Sequence, residues 1–125
     1  MTVLDSSAVL AWLLEEPGHK RVDAVLEKSL ISTVNWSEVL QKVHPYQPDL
    51  AAFTARFSAI GLHIIPFSID QAEQAATLYP QTKAAGLSLG DRACLALALT
   101  SQSMVLTADR AWRRIDVGVS IGLIQ

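Results

Sequence analysis

Five short apolar runs alternate with helix-patterned segments along this chain, and that alternation constrains the fold more than any other feature. The runs are Met1 to Leu4, Leu30 to Thr33, Leu62 to Phe67, Ser103 to Leu106 and Val117 to Ile124. Strands separated by helices pair in parallel, because parallel neighbours need long crossovers, and such a sheet must be covered on both faces. The sequence therefore predicts an α/β domain with a mostly parallel sheet between helical layers. A chain of 125 residues has room for one such domain over 1–125 and little for a second.

The intervening segments carry helix signals of their own. Ala8 to Leu14 is helix-forming until Pro17-Gly18, and Val22, Val25 and Leu26 mark the apolar face of a second helix. Asn35 to Val43 reads as a third, stopped by His44-Pro45. Pro48 to Ile60 places Pro in a first turn, with Leu50, Phe53, Phe57 and Ile60 along one face, and leaves an apolar patch available to a partner. Ser68 to Ala85 is helical in composition and ends at Gly86, a C-cap candidate. Ser88 opens a helix that is apolar nearly all round and must be buried, and Asp109 to Arg114 is a short turn or helix.

Half of the residues are hydrophobic and 18% are charged, enough to bury a core. The net charge of −2 argues against a domain that holds nucleic acid mainly by bulk electrostatics, so any such contact must be local. The single cysteine, Cys94, excludes an internal disulfide and suits a reducing cytoplasm. The first residues lack a basic leader and are broken by Asp5-Ser6-Ser7, so they read as structure and not as targeting. The longest apolar stretch, Ala93 to Leu99, falls well short of the ~20 residues a bilayer requires.

In open α/β sheets, ligands bind beyond the carboxyl ends of the strands. Asp5 follows the first run and Asp109 the fourth, while Glu38 and Asp91 lie in helices that can reach the same edge. Each has a plainer reading. Asp5 and Asp109 suit helix caps, Glu38 suits an i, i+4 pair with Lys42, and Ser88-Leu89-Gly90-Asp91 fits a capping box. The conjunction says more, because crowded carboxylates repel one another unless a cation neutralises them. Hard ions such as Mg²⁺ or Mn²⁺ suit oxygen ligands, and a pair of them supports phosphodiester hydrolysis. Zinc is disfavoured, since Cys94 is alone and His19, His44 and His63 have no ligand spacing. Arg92, Arg110 and Lys42 are candidates for holding a nucleic-acid backbone, with Arg113 and Arg114 nearby. Trp36 and Trp112 are better placed in a core than in base stacking.

Four segments in order carry a resemblance: Val3-Leu4-Asp5-Ser6-Ser7, Ser32-Thr33-Val34-Asn35-Trp36-Ser37-Glu38-Val39, Leu87-Ser88-Leu89-Gly90-Asp91-Arg92-Ala93, and Leu106-Thr107-Ala108-Asp109-Arg110-Ala111-Trp112. Over nearly the whole chain they resemble the PIN-domain nucleases, in particular the VapC-type toxins of type II toxin–antitoxin pairs. The resemblance implies a three-layer α/β/α fold with a parallel five-stranded sheet of order 3-2-1-4-5. It also implies Mg²⁺- or Mn²⁺-dependent endoribonuclease activity on RNA, a homodimer, and a cognate antitoxin that occludes the site. By position, Asp5, Glu38, Asp91 and Asp109 resemble the acidic metal and catalytic set, with Ser7 and Thr107 similar to its hydroxyl-bearing support residues. Trp112 departs from the pattern, which more often has Phe there, and His44 to Gly61 matches no motif.

A response-regulator receiver domain has similar length but needs paired acids after the first strand, and Phe67-Ser68 stands where its phosphoacceptor would be. A haloacid-dehalogenase-like phosphatase needs D-x-D, and Ser7 occupies the third position. The remaining alternatives are a PIN-like module that binds without cleaving and a structure-specific DNA nuclease.

Overall fold

A computed structural model describes residues 1–125 in full. Its strands are β1 (Thr2–Leu4), β2 (Leu30–Ser32), β3 (His63–Ile65), β4 (Met104–Thr107) and β5 (Ile121–Leu123). They form one sheet in the order β3-β2-β1-β4-β5, and every neighbouring pair is parallel. The predicted sheet and strand order are therefore present.

The helices are α1 (Ser6–Leu13), α2 (His19–Asp23), α3 (Thr33–Val43), α4 (Leu50–Ile60), α5 (Ile69–Thr77), α6 (Tyr79–Thr82) and α7 (Leu89–Ser101). A 3₁₀ helix spans Arg110–Arg114. Strand alternation divides the core in two. Leu4, Ile31 and Leu106 point to one face, where α1 to α4 contribute Val9, Val22, Val39 and Phe57. Their neighbours Val3, Leu30 and Val105 point to the other, against Cys94, Leu95 and Trp112. The result is three layers with α7 buried against the second face.

Several boundaries differ from the sequence reading, each for a local reason. Pro48 lies outside α4, because Asp49 is the N-cap and accepts from the Ala52 N–H at 3.0 Å. Phe53 and Phe57 face inward, packing on Trp36 at ring distances of 5.7 and 5.1 Å. The apolar face of α4 is thus core; of the four residues that defined it, only Ile60 is exposed. The segment from Ser68 to Ala85 is two helices, α5 and α6, with Pro80 in the first turn of the second. Ser103 precedes β4, which extends instead to Thr107. Val117 belongs to the core but not to β5: Gly118 turns the chain at φ +78° and the strand starts at Ile121.

No helix is long and apolar enough to cross a membrane. At the outer edge of β5, Arg21 of α2 donates to the Leu123 carbonyl. Gly122 makes this possible: a Cβ there would lie 2.7 Å from the Arg21 Nη2.

Candidate active site

The carboxyl ends of β1 and β4 bring Asp5 and Thr107 together. Asp5 is the N-cap of α1, as its position suggested, and its Oδ1 accepts from the Ala8 N–H at 2.9 Å and from the Ser7 hydroxyl at 2.7 Å. Its Oδ2 accepts from the Thr107 hydroxyl at 2.6 Å. The two hydroxyls also serve the backbone that leads to Asp109: Ser7 Oγ accepts from the Ala108 N–H at 2.9 Å, and Thr107 Oγ1 from the Asp109 N–H at 3.0 Å. Asp109 in turn caps the 3₁₀ helix through the Ala111 N–H. One hydrogen-bonded unit therefore joins the loops after β1 and β4.

The other two carboxylates arrive on helices. Ser32 caps α3 through the Val34 N–H, and Glu38 sits one turn into that helix, half-buried. Its Oε1 accepts from the Asn35 amide at 3.0 Å; this contact, and not the anticipated pair with Lys42, holds it. Ser88 and Asp91 form a full capping box at the start of α7, so the cap reading of Asp91 also holds. At Gly90 a Cβ would meet Glu38 Oε2 at 2.6 Å, which brings Glu38 of α3 against the first turn of α7.

The charges of these groups act on one another. Burial pushes the Asp5 carboxyl up from 3.8 to about 6; the Thr107, Ser7 and Ala8 donors oppose the rise, and the Asp91 charge adds to it. Burial also raises Asp91, against the Ser88 donors, with Asp109 and Glu38 contributing repulsion. The buried Cys94 thiol is pushed well up by burial and then by Asp5, Asp91 and Glu38, so it is an inert core group and not a nucleophile.

These oxygens are the hard donors that a divalent magnesium or manganese ion prefers. No three of the His, Cys, Asp and Glu side chains are gathered closely enough to hold a metal ion as they stand. A hard ion that keeps several waters needs only a few carboxylates, so the donor set fits such an ion without a full cage.

Among the basic residues, Arg110 and Lys42 are exposed. Arg92 is engaged elsewhere: its guanidinium donates to the Ala75 carbonyl at 3.2 Å and lies 5.2 Å from the Tyr79 ring centre. It ties α7 to α5 and α6, which corrects its reading as a substrate contact. Trp36 and Trp112 are both buried. A cavity of about 630 Å³ lies away from the carboxylates, along β5, and is lined by Arg21, Trp112 and Arg113, among others. Asn35 is the site residue that sequence reasoning passed over, for a helical amide carries no signal until its partners are known.

A family model described as PIN domain matches residues 2–118. Among solved structures, a toxin–antitoxin complex from Klebsiella pneumoniae superposes with a TM-score of 0.79 at 21% identity, covering 100% of this chain and 98% of that one. A DNA-bound VapBC from Salmonella typhimurium gives 0.74 at 16% identity, covering 99% and 98%. The VapC20 toxin of Mycobacterium tuberculosis, described as cleaving the sarcin–ricin loop, gives 0.68 at 15% identity, covering 96% and 99%. At these identities the likeness establishes the fold. No curated protein sequence matches the chain.

Proposed function

Because the chain belongs to the PIN-domain family, we propose that it is a metal-dependent endoribonuclease and the toxin of a type II toxin–antitoxin pair. One observation supports the reading: four carboxylates from separate parts of the chain act on one another, Asp109 and Glu38 raising Asp91 and Asp91 raising Asp5. Such a cluster is unfavourable without a cation. Asp5, Glu38, Asp91 and Asp109 would hold Mg²⁺ or Mn²⁺ between them. A bound divalent ion supplies acidity to the attacking water and stabilisation to the leaving oxygen.

The chain's own residues do the rest. Ser7 and Thr107 fix both oxygens of Asp5 and so aim the carboxylate. The Ser88 box fixes Asp91 in the same way. Arg110 and Lys42, both exposed, are the cations free to meet phosphates and offset the repulsion between RNA and the acidic site.

RNA is favoured over DNA by the likeness to a toxin described as cleaving the sarcin–ricin loop. Likeness to toxins solved as complexes supports a cognate antitoxin as partner. We read residues 1–125 as one nuclease domain, acting as a homodimer in the cytoplasm, where the free Cys94 stays reduced. A PIN-like module that binds without cleaving is the alternative reading.

Purified protein incubated with total RNA and Mg²⁺ or Mn²⁺, beside EDTA and Asp91→Asn controls, decides between them. Discrete products lost in both controls support the ribonuclease. Metal binding without cleavage supports the binding module, and cleavage of single-stranded DNA alone in a parallel reaction supports a DNA nuclease.

A further inference from the structure

Asn35 stands at the junction of α3 and α7, fully buried, and its amide nitrogen makes two hydrogen bonds. One goes to Glu38 Oε1 at 3.0 Å, the other to the Gly90 carbonyl at 2.9 Å. Both partners are acceptors, which fixes which end of the amide faces them. The amide oxygen has no partner. An apolar side chain would suit a packing role better than an amide with an orphaned buried oxygen, so the two N–H groups are what this position uses.

Those two bonds connect a carboxylate to the residue next to another carboxylate. Gly90 immediately precedes Asp91, and its missing side chain leaves the space that Glu38 fills, with Oε2 only 2.6 Å from where a Cβ would be. The amide pulls Glu38 against α7, and the glycine lets it come. A neutral donor does this without adding a positive charge, so the carboxylate keeps its full capacity to bind a cation.

We propose that Asn35 and Gly90 form a positioning pair that sets the spacing of Glu38 from Asp91, and so the affinity of the acidic site for a divalent ion. The proposal rests on the metal-dependent reading given above. Neither residue is a metal ligand; both act through Glu38.

Calorimetric titration of Mn²⁺ into the full chain tests it, using Asn35→Leu, Gly90→Ala and the same changes in a Glu38→Ala background. Each single change is expected to weaken Mn²⁺ binding roughly 10–100-fold, the usual effect of removing a residue that orients a ligand. In the Glu38→Ala background neither change is expected to weaken it further. Metal-free melting separates positioning from packing: Gly90→Ala improves helix propensity and displaces only a side-chain tip, so its Tm should hold or rise while Mn²⁺ affinity falls. Gly90→Ala also keeps the test decisive if Asn35→Leu fails to fold.

Unchanged affinity in folded single variants, or an equal loss with Glu38 already removed, overturns the positioning pair alone. Wild-type protein that binds no Mn²⁺ overturns the metal-dependent reading and the pair with it. Wild-type protein that binds Mn²⁺ yet cleaves no nucleic acid overturns the nuclease reading and leaves the pair standing on its affinities.

Discussion

Thr107 Oγ1 donates to Asp5 Oδ2 across 2.6 Å, so a hydroxyl at the end of β4 holds a buried carboxylate at the end of β1. The bond works against burial, which favours the protonated acid, and helps keep Asp5 ionisable near neutrality.

Metal-free stability should therefore fall as pH rises from about 3.8 to about 6. In that window the folded state holds the Asp5 proton and the unfolded chain has released it, so unfolding is favoured with each step up in pH. The full effect is on the order of 3 kcal/mol, from roughly two pKa units at 1.36 kcal/mol each. Urea unfolding in EDTA at pH 4 and pH 8 checks it. Asp5→Asn, which keeps the cap, should be less pH-dependent than wild type by that amount and more stable at pH 8.

On the proposed metal-dependent reading, Mn²⁺ should stabilise the protein more at pH 8 than at pH 5, because the ion would compete with protons for Asp5 and Asp91, both raised by burial. At a hundred times its dissociation constant the gain is about 2.7 kcal/mol. Thermal melts with and without Mn²⁺ measure it, and a gain in Asp91→Asn equal to wild type would remove Asp91 from the metal site.

Thr107→Val should cost about 1–3 kcal/mol at pH 8, since it leaves a buried Asp5 oxygen without its donor. It should also raise the Asp5 pKa further, because the Thr107 bond lowers it. Thr107→Ser should restore most of the loss. Valine and serine variants that unfold at the same urea concentration would mean the hydroxyl contributes nothing.

Gly122→Ala serves as a control remote from the carboxylates. Its methyl would meet Arg21 Nη2 at 2.7 Å and Leu106 Cδ2 at 2.9 Å. Overpacking of this kind costs about 1–3 kcal/mol, so its Tm should drop while Mn²⁺ affinity stays at the wild-type value.

Much of this architecture is written in local pattern. The period-two split of Val3 from Leu4 and of Val105 from Leu106 follows from strand geometry, and the caps at Asp5, Ser88 and Asp109 follow from helix chemistry. What pattern does not encode is which face of an apolar helix meets which neighbour. The stripe on α4 looked available because nothing in the sequence says that Trp36 will stack on Phe53. Val117 looked like a strand residue because it is β-branched, while its burial comes from the turn at Gly118.

The site shows the same division. Asp5, Glu38, Asp91 and Asp109 are legible as acids at a sheet edge, and Ser7 and Thr107 as hydroxyls beside them. Asn35 is not, for its partners Glu38 and Gly90 lie three and 55 positions away. Arg92 was misleading for the opposite reason: adjacency to Asp91 suggested the cleft, whereas the helix turns its guanidinium toward Tyr79.

β1 lies between β2 and β4, and the chain reaches β4 only after 103 residues. On the ribosome, Asp5 is made 102 residues before its partner Thr107. A nascent chain that has not yet released β4 cannot shelter Asp5 or bring Asp109 alongside. The enclosure of Asp5 is thus a long-range property of the fold, absent from any nascent chain in which β1 has emerged and β4 has not.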